Sequence, residues 1–319
     1  MKDHIMNKKQ VVSRFYNQIS FSGNKVIKGV PKDRFEKETR WFKEAQKIIP
    51  DNIPRIYSCN GKVNRPDKSN LSYYEMQAID GDNLYQWVIM NKEHSTEMFD
   101  KLIELAKKLH HKTSNPNKDD IFSMYYLKPK RALIEFFDKS NMNTATIFIN
   151  GCKFSNPIKQ LENIYKYLEK RLLNTRFAFI HGDMTMSNVV VSSDKKLYLI
   201  DPRGCFGNTD FYGDVRYDIA KIYYSIVGNF DSLNNGKFTY KKEAGTTSSH
   251  SYSITDNGLS GYSKSIIEKF GEQHDVIKYI HATIWLSLIP HVANNLNQQY
   301  CTFCHGIYLL NTINDYDEI

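Results

Sequence analysis

The chain has 319 residues, of which 41% are hydrophobic and 24% charged, and its formal net charge is +8. This is the composition of an ordinary globular protein with a core large enough for one large or two medium domains. No apolar run approaches membrane-spanning length, and no zinc-finger or RNA-binding signature supports a nucleic-acid partner. The positive charge favours anionic partners such as nucleotides and phosphorylated sugars.

The cysteines and the N-terminus bear on the cellular compartment. Five cysteines, an odd number at uneven spacing, argue against a disulfide framework. Residues 1–10 are polar and lack the apolar centre of a signal peptide, so we expect a cytoplasmic protein. Cys301-x-x-Cys304-His305 has the spacing of a haem attachment site or a zinc half-site. With no export signal and no second Cys/His pair, a buried helical face is the favoured interpretation.

The first part of the chain predicts a β-hairpin, a helix and a second β-hairpin. Strand-forming residues flank a turn at 20–24, and apolar residues then recur at helical spacing after a potential cap at Asp33. Pro50 and Pro54 end this helix. The predicted ranges are 9–30 for the first hairpin, 34–49 for the helix, and 53–59 and 71–78 for the strands of the second hairpin.

The rest of the chain predicts mainly helices. Thr96 is a potential cap for a helix that runs through His111 with its apolar residues on one face. Asp218 begins another predicted helix. Residues 231–260 are rich in Asn, Gly, Ser, Thr and Lys and predict a mobile flap or hairpin beside a site. Further helical patterns cover 121–137, 158–173 and two or three segments from Ser263 to about Leu310.

The most informative segment spans residues 181–201. Asp183 and Asn188 form an Asp-x-x-x-x-Asn pattern after a strand-like run, and Asp201 directly follows a second run. Phosphoryl transfer needs a carboxylate that orients and deprotonates a hydroxyl, and oxygen ligands for the Mg²⁺ on the nucleotide phosphates. The three residues match the kinase set in type, order and approximate spacing. Either fragment alone would more often be a surface turn or a strand end.

These residues resemble the aminoglycoside phosphotransferase and choline kinase branch of the protein-kinase-like fold. The segment His181-Gly182-Asp183 with Asn188 and the later Ile200-Asp201 carries the resemblance. Asp218 resembles the aspartate that opens a helix and braces the catalytic loop in this family, and Leu109-His110 resembles the end of a family helix.

The resemblance implies an α+β, two-lobed protein-kinase-like fold. Residues 1–80 would form the N-terminal nucleotide-binding lobe, a small antiparallel sheet with one helix. Residues 81–319 would form a larger, mainly helical lobe for catalysis and substrate binding.

The same resemblance assigns the nucleotide contacts. Lys28, on the strand before the helix, would pair with the α- and β-phosphates, with Lys25 as the competing candidate. Glu38 is the predicted partner of that lysine, ahead of Glu36, because it shares a helix face with aromatic residues three and four positions away.

A hinge and a phosphate loop complete the expected nucleotide site. The backbone from Gln77 to Ile79 would bond the adenine, and Gly81 with Leu84 matches the entry to the large lobe. One departure is that residues 1–22 contain no glycine, although a glycine-rich phosphate loop is expected there. This departure bears on nucleotide affinity and choice.

The implied reaction moves the γ-phosphoryl of ATP or GTP to a hydroxyl of a small molecule. Asp183 would take the hydroxyl hydrogen, and Asn188 and Asp201 would hold Mg²⁺. Asp218 and His181 would be structural supports of the loop.

Arg203 has two interpretations. Its guanidinium could bind an anionic substrate or stabilise the developing phosphoryl charge. Alternatively, it could be tied to a carboxylate such as Asp210 or Asp214.

The acceptor and the class of activity stay open. Sugars, or phosphorylated or nucleotide-linked sugars, suit the positive charge better than cationic aminoglycosides, and choline would need an aromatic cage. A nucleotide-binding pseudokinase fits the absent glycine loop but not the complete Asp183, Asn188 and Asp201 set. A protein kinase is disfavoured because the chain lacks Asp-Phe-Gly and Ala-Pro-Glu.

Overall fold

The N-terminal part of the protein is a four-stranded antiparallel sheet with one helix packed on it. The computed structural model describes residues 18–59, 71–142, 145–243, 248–292 and 294–313. The strand order is β1-β2-β4-β3, and Lys28 lies opposite Tyr74 in the β2–β4 pairing. The elements are β1 (Gln18–Ser22), β2 (Lys25–Pro31), α1 (Lys32–Ile48), β3 (Ile56–Ser58) and β4 (Leu71–Gln77). Residues 9–17 of the predicted first hairpin lie outside the described residues.

Helix α1 follows β2 without a connecting loop. Pro31 occupies the N-cap position and Asp33 lies in the first turn, so the prediction that Asp33 caps the helix is wrong. An aspartate in the first turn still interacts favourably with the helix dipole, which is why the two positions are hard to separate from sequence. Glu38, Trp41, Phe42 and Ala45 form the buried face.

The C-terminal part is mainly helical. Its helices are α2 (Leu84–Met90), α3 (Ser95–Leu109), α4 (Lys118–Phe122), α5 (Lys128–Ser140), α6 (Pro157–Leu173), α7 (Val215–Ile226), α8 (Phe230–Asn234), α9 (Ser263–Phe270), α10 (His274–Leu288) and α11 (Leu296–Asn311). Among the helices of the described ranges, none has the length and apolar character needed to cross a bilayer.

Short strands connect these helices. They are β5 (Gly81–Asn83), β6 (Thr113–Ser114), β7 (Thr146–Ile149), β8 (Cys152–Ser155), β9 (Phe177–Phe179), β10 (Val189–Ser192), β11 (Leu197–Leu199), β12 (Cys205–Phe206), β13 (Thr209–Asp210), β14 (Tyr212–Asp214), β15 (Phe238–Lys242) and β16 (Ser249–Ile254). β5 pairs with β10, so the chain enters the large lobe along the β10–β11 hairpin. This hairpin follows residues 180–188, the segment called the catalytic loop below. The close approach requires a glycine, because a Cβ on Gly81 would lie 1.9 Å from the Val191 carbonyl oxygen.

Two further helix starts differ from the predictions. α3 begins at Ser95 rather than after a cap at Thr96. α7 begins at Val215, where the Asp214 side chain accepts the Arg216 N–H at 3.0 Å, so Asp218 does not open the helix but lies in its first turn. This shift turns the Asp218 carboxylate towards the catalytic loop.

The polar segment 231–260 contains regular secondary structure within its described residues. It forms α8 and the β15–β16 hairpin, and β16 also pairs in parallel with β7. The result is a four-stranded sheet of order β15-β16-β7-β8. A hairpin was one of the two structures that the composition predicted.

Two hydrophobic cores hold the fold together. One lies among the C-terminal helices, and its largest buried side chains include Trp285 and Phe303. The other combines Trp41 and Phe42 of α1 with Leu102 of α3 and Met184 of the catalytic loop. Apolar packing is therefore continuous across position 80 and fixes the small sheet against the loop.

Candidate active site

The catalytic loop, residues 180–188, joins β9 to β10. The carboxylate of Asp218 accepts the backbone N–H groups of His181 and Gly182, both at 2.8 Å, and lies 3.0 Å from Nε2 of His110. Gly182 has φ +76°, and a Cβ there would lie 2.9 Å from the Cβ of Arg203. The sharp turn thus depends on glycine and on a buried acceptor from α7.

His181 is completely buried beneath the loop. Its Nε2 contacts the Ile200 carbonyl oxygen at 3.0 Å, and the Asp183 N–H donates to its Nδ1 at 3.3 Å. Both contacts are satisfied by the neutral ring with its proton on Nε2. Burial lowers the pKa of His181 despite the nearby carboxylates, which favours this neutral form.

The structure brings Asp183, Asn188 and Asp201 to one point. The Asn188 amide nitrogen donates to the Asp183 carbonyl oxygen at 2.9 Å and to Asp183 Oδ2 at 3.2 Å. The Ile200 N–H donates to the Asn188 carbonyl oxygen at 3.0 Å, and this bond holds the strand end before Asp201 against the loop. Both bonds to Asp183 are made by the amide nitrogen of Asn188 and not by its amide oxygen.

Lys28 connects the small sheet to Asp201. Its Nζ lies 2.8 Å from Glu38 Oε2 and 2.5 Å from Asp201 Oδ1. The Tyr74 hydroxyl donates to the same Glu38 oxygen at 2.6 Å. Glu38 is fully buried, so these donors satisfy a carboxylate that would otherwise be costly. The competing candidates lie elsewhere, since Lys25 pairs with Glu75, and Glu36 is exposed.

Sequence reasoning missed Arg34, which lies one helical turn before Glu38. Arg34 pairs through Nε with Glu38 and through NH2 with Asp201 Oδ1 at 2.6 Å. Burial alone would lower the pKa of Arg34, but Asp201 and Glu38 reverse the effect and raise it. The spacing of four residues on α1 was the available signal.

The predicted hinge follows β4. The Gln77 N–H donates to the Arg55 carbonyl oxygen and the Ala78 N–H to the Asn24 carbonyl oxygen, each at 2.8 Å. The Ile79 N–H makes no hydrogen bond to a residue within the described ranges. Of the backbone donors from 77 to 79, that of Ile79 is therefore the one available to a nucleobase.

Arg203 is held by neutral groups and not by the carboxylates that its sequence alternative named. Its NH1 donates to the Tyr217 hydroxyl at 3.2 Å, and the Cys205 thiol is a second partner. Asp210 and Asp214 each pair with another arginine. These arginines are Arg40 and Arg216.

Two lysines that were not predicted as site residues lie near Asp183. Lys221 Nζ lies 2.9 Å from Asp183 Oδ1, and its position three residues after Asp218 on α7 was the missed signal. Lys128, the first residue of α5, is half-buried near Arg203 and Lys221. Its burial and these two cations lower the pKa of Lys128 to about 7.

The donor set fits a hard divalent cation that also binds a nucleotide. Asn188 and Asp201 offer an amide oxygen and a carboxylate, which are oxygen ligands of the kind Mg²⁺ prefers. No cluster of three or more His, Cys, Asp and Glu side chains suited to a metal occurs in the described part of the chain. Any Mg²⁺ here would therefore complete its shell with water and phosphate oxygens.

The sequence over residues 27–240 matches the phosphotransferase enzyme family. That range covers about two thirds of the chain and includes every residue described above as part of the site. A search of curated protein sequences gives no significant match.

Solved structures share the fold at low sequence identity. The GDP and kanamycin complex of APH(2")-IIia has a TM-score of 0.55 and 14% identity, covering 97% of this chain and 93% of that one. A thermostable mutant of aminoglycoside phosphotransferase APH(4)-Ia with ADP and hygromycin B has a TM-score of 0.55, 9% identity and coverages of 94% and 95%. Choline kinase LicA from Streptococcus pneumoniae has a TM-score of 0.48, 13% identity and coverages of 93% and 89%.

Proposed function

The chain belongs to the phosphotransferase enzyme family, and on that premise we propose that it transfers the γ-phosphoryl group of ATP or GTP to a hydroxyl of a small molecule. The observation that carries the proposal is the junction of the two lobes at Asp201. There Lys28 contacts both Glu38 and Asp201, while Asn188 contacts Asp183 on the neighbouring loop. This is the spatial arrangement that phosphoryl transfer requires.

Asp183 would act on the acceptor. The acceptor hydroxyl oxygen attacks the γ-phosphorus, the bond from that phosphorus to the nucleoside diphosphate oxygen breaks, and the hydroxyl hydrogen passes to the Asp183 carboxylate. Lys221, whose Nζ lies 2.9 Å from Asp183 Oδ1, would hold this carboxylate in position. His181 would support the loop and exchange no proton with substrate.

The nucleotide would lie between the hinge and Asp201. The Ile79 N–H is suited to a nucleobase acceptor, and Lys28, positioned by Glu38, is suited to the phosphates. When bound, Mg²⁺ would neutralise phosphate charge, with Asn188 and Asp201 as its protein ligands. The GDP and ADP complexes of the two aminoglycoside phosphotransferase structures support a purine nucleotide as donor.

The acceptor is proposed to be a sugar or a sugar derivative. Kanamycin and hygromycin B, named in the two similar complexes, are hydroxyl-rich compounds of related chemistry. The cations beside Asp183 favour a neutral or anionic sugar over an aminoglycoside or choline in this protein.

The test is Mg²⁺-dependent phosphoryl transfer from ATP and GTP to a panel of sugars, sugar phosphates, amino alcohols and aminoglycosides. Asp183→Asn should reduce kcat by roughly 10²–10⁴-fold and leave nucleotide affinity within a few-fold of the wild type. Asp194→Asn, an exposed carboxylate in the following hairpin, is the matched control and should behave as wild type.

Each other outcome has a definite meaning. Turnover by Asp183→Asn within a few-fold of the wild type would overturn the catalytic assignment. Nucleotide binding without turnover of any acceptor would favour a pseudokinase, which the absence of glycine from residues 1–22 also fits.

A further inference from the structure

Three cations from different elements lie near Asp183: Lys221 contacts its carboxylate, and Lys128 and Arg203 lie within electrostatic range of it. Lys128 comes from the start of α5, Lys221 from the middle of α7, and Arg203 from the segment that follows Asp201. We propose that this cluster, named here the acceptor cations, binds an oxyanion of the acceptor, so that the substrate is a hydroxyl compound carrying a phosphate or carboxylate. The inference rests on the proposed function and specifies its substrate class.

The acceptor cations are not balanced by carboxylates. Lys221 pairs with Asp183 at 2.9 Å. Arg203 is held by a hydroxyl and a thiol, both of which are uncharged in their usual form. The Lys128 ammonium makes no hydrogen bond or ion pair with a residue that the structure describes. Of the carboxylates that the structure describes, Asp183 is the one that pairs with an acceptor cation, and this excess of positive charge is the pattern of an anion site.

The clustering of positive charges is electrostatically unfavourable, and a bound anion would reduce this cost. A half-buried lysine beside two like charges is disfavoured in its charged form, which is why the pKa of Lys128 falls to about 7. A lysine with only a structural role could point into solvent, as the exposed Lys139 does at the other end of α5. A bound oxyanion would supply Lys128 with the missing partner.

The cluster is separate from the cations suited to the nucleotide. Lys28 and Arg34 contact Asp201 from the small lobe, whereas Lys221 contacts Asp183, the residue that faces the acceptor. The planar fork of Arg203 and the point charges of two lysines are well suited to the several oxygens of a phosphate or carboxylate. A cationic aminoglycoside or choline would instead meet like charge.

The experiment measures binding to the full-length protein saturated with a non-hydrolysable ATP analogue and Mg²⁺. The probes are glucose, glucosamine, glucuronate and glucose 6-phosphate, which share a pyranose ring and differ in charge, together with inorganic phosphate. We expect the anionic sugars to bind at least tenfold more tightly than glucose, and glucosamine to bind most weakly. A comparison of glucuronate with glucose 6-phosphate then distinguishes a carboxylate site from a phosphate site.

Two variants test the residue assignment. Lys128→Gln should weaken binding of the anionic sugars by about tenfold, because one charge-assisted hydrogen bond is lost. Lys139→Gln, on the exposed surface of the same helix, should leave it unchanged.

The inference is wrong if the anionic probes bind no better than glucose, if no anion binds at millimolar concentration, or if Lys128→Gln binds anions as the wild type does. In each of these cases a bound ATP analogue would leave the proposed function standing. Failure of the ATP analogue to bind would instead count against the proposed function itself.

Discussion

At Asp201 a side chain of the large lobe contacts two cations of the small lobe. Its backbone lies in the left-handed region, with φ +58°, which few residues other than glycine adopt. Its carboxylate accepts from Lys28 and Arg34 through one oxygen, Oδ1, so two cations contact an oxygen that a metal would need. Metal binding must therefore compete with these ion pairs.

This competition gives a prediction for Arg34. In Arg34→Gln one competing cation is removed from Asp201, so the Mg²⁺ concentration for half-maximal activity should fall by a few-fold. A Mg²⁺ titration at fixed nucleotide concentration measures the effect. Arg40→Gln is the control on the same helix, because Arg40 pairs with the exposed Asp210. An unchanged or higher Mg²⁺ requirement in Arg34→Gln would show that Arg34 does not oppose the metal.

A second prediction concerns Lys128 and the stability of the unliganded protein. Because the pKa of Lys128 is lowered from 10.5 to about 7, protonation of the unfolded chain reduces stability as the pH falls from 10.5 towards 7. Lys128→Gln should therefore raise the midpoint of thermal unfolding by roughly 2 °C or more at pH 7, with a smaller difference near pH 10. A lower midpoint at pH 7 would mean that Lys128 has a stabilising partner. Lys139→Gln is again the control.

At the residue scale, the site residues that the sequence predicts are those whose type and spacing are characteristic of a kinase active site. The β10–β11 hairpin folds back on itself and brings Asp201 beside Asp183 and Asn188. Lys28 contacts Glu38 because β2 leads directly into α1. Arg34, Lys128 and Lys221 were missed because basic residues on a helix, whether single or clustered as at 128–131, usually form a solvated face. Arg34 contacts Asp201 across 167 positions of sequence and Lys221 contacts Asp183 across 38, whereas Lys128 lies within electrostatic range of Asp183, 55 positions away.

At the element scale, α7 determines the shape of the catalytic loop. The helix begins at Val215, so Asp218 in its first turn reaches back to the N–H groups of His181 and Gly182. An acceptor on a helix is better fixed than one on a loop, because the helix backbone restrains its position.

Removal of that acceptor should damage both stability and catalysis. Asp218→Ala leaves two buried N–H groups and His110 without their partner, at a cost of about 3 kcal/mol. We expect a lower unfolding midpoint and a kcat reduced by at least tenfold, measured by calorimetry and by steady-state kinetics. Normal kcat in a folded Asp218→Ala protein would show that the loop keeps its shape without this bond.

Element boundaries were harder to predict than element types. The sequence predicts a helix start at Asp33, Thr96 and Asp218, but each of these residues lies inside its helix. For the two aspartates the physical reason is that Asp is favourable both at the cap, where it accepts an N–H, and in the first turn, where its charge interacts with the helix dipole. The type of a single residue therefore does not show whether it lies at the cap or in the first turn of a helix.

At the scale of the whole molecule, four histidines with lowered pKa couple folding to pH. Burial lowers the pKa of His250 to about 4 and of His305 to about 3, and it also lowers the pKa values of His181 and His281. Because these histidines titrate near 6.5 in the unfolded chain, acid favours unfolding below that pH.

The resulting prediction is a loss of stability between pH 6.5 and 5. Each histidine that stays neutral in the fold contributes a loss of up to about 2 kcal/mol at pH 5, so the unfolding midpoint should fall by several degrees. Asp231 acts in the opposite direction, since burial raises its pKa to about 6. His305→Gln should flatten the decline, and a midpoint that is constant over this range would contradict the prediction.

The two-lobed fold could be predicted because local patterns and one motif agreed on it. The sheet that unites β7, β8, β15 and β16 could not, since its parallel pair joins residues about a hundred positions apart. Strand partners at such separation are chosen by burial in the folded protein and leave no local pattern. For the same reason, the shared core of Trp41 and Met184 was visible only in three dimensions.

Trp41 also makes the protein a spectroscopic reporter of its own active site. The indole is fully buried, donates from Nε1 to the Ile180 carbonyl oxygen at 2.7 Å, and lies 5.3 Å from the His181 ring. The chain has three tryptophans, and replacement of Trp87 and Trp285 by phenylalanine would leave this one as the emitter. Its fluorescence would then follow any rearrangement of the loop in real time, on the millisecond scale of stopped-flow mixing, without an added dye.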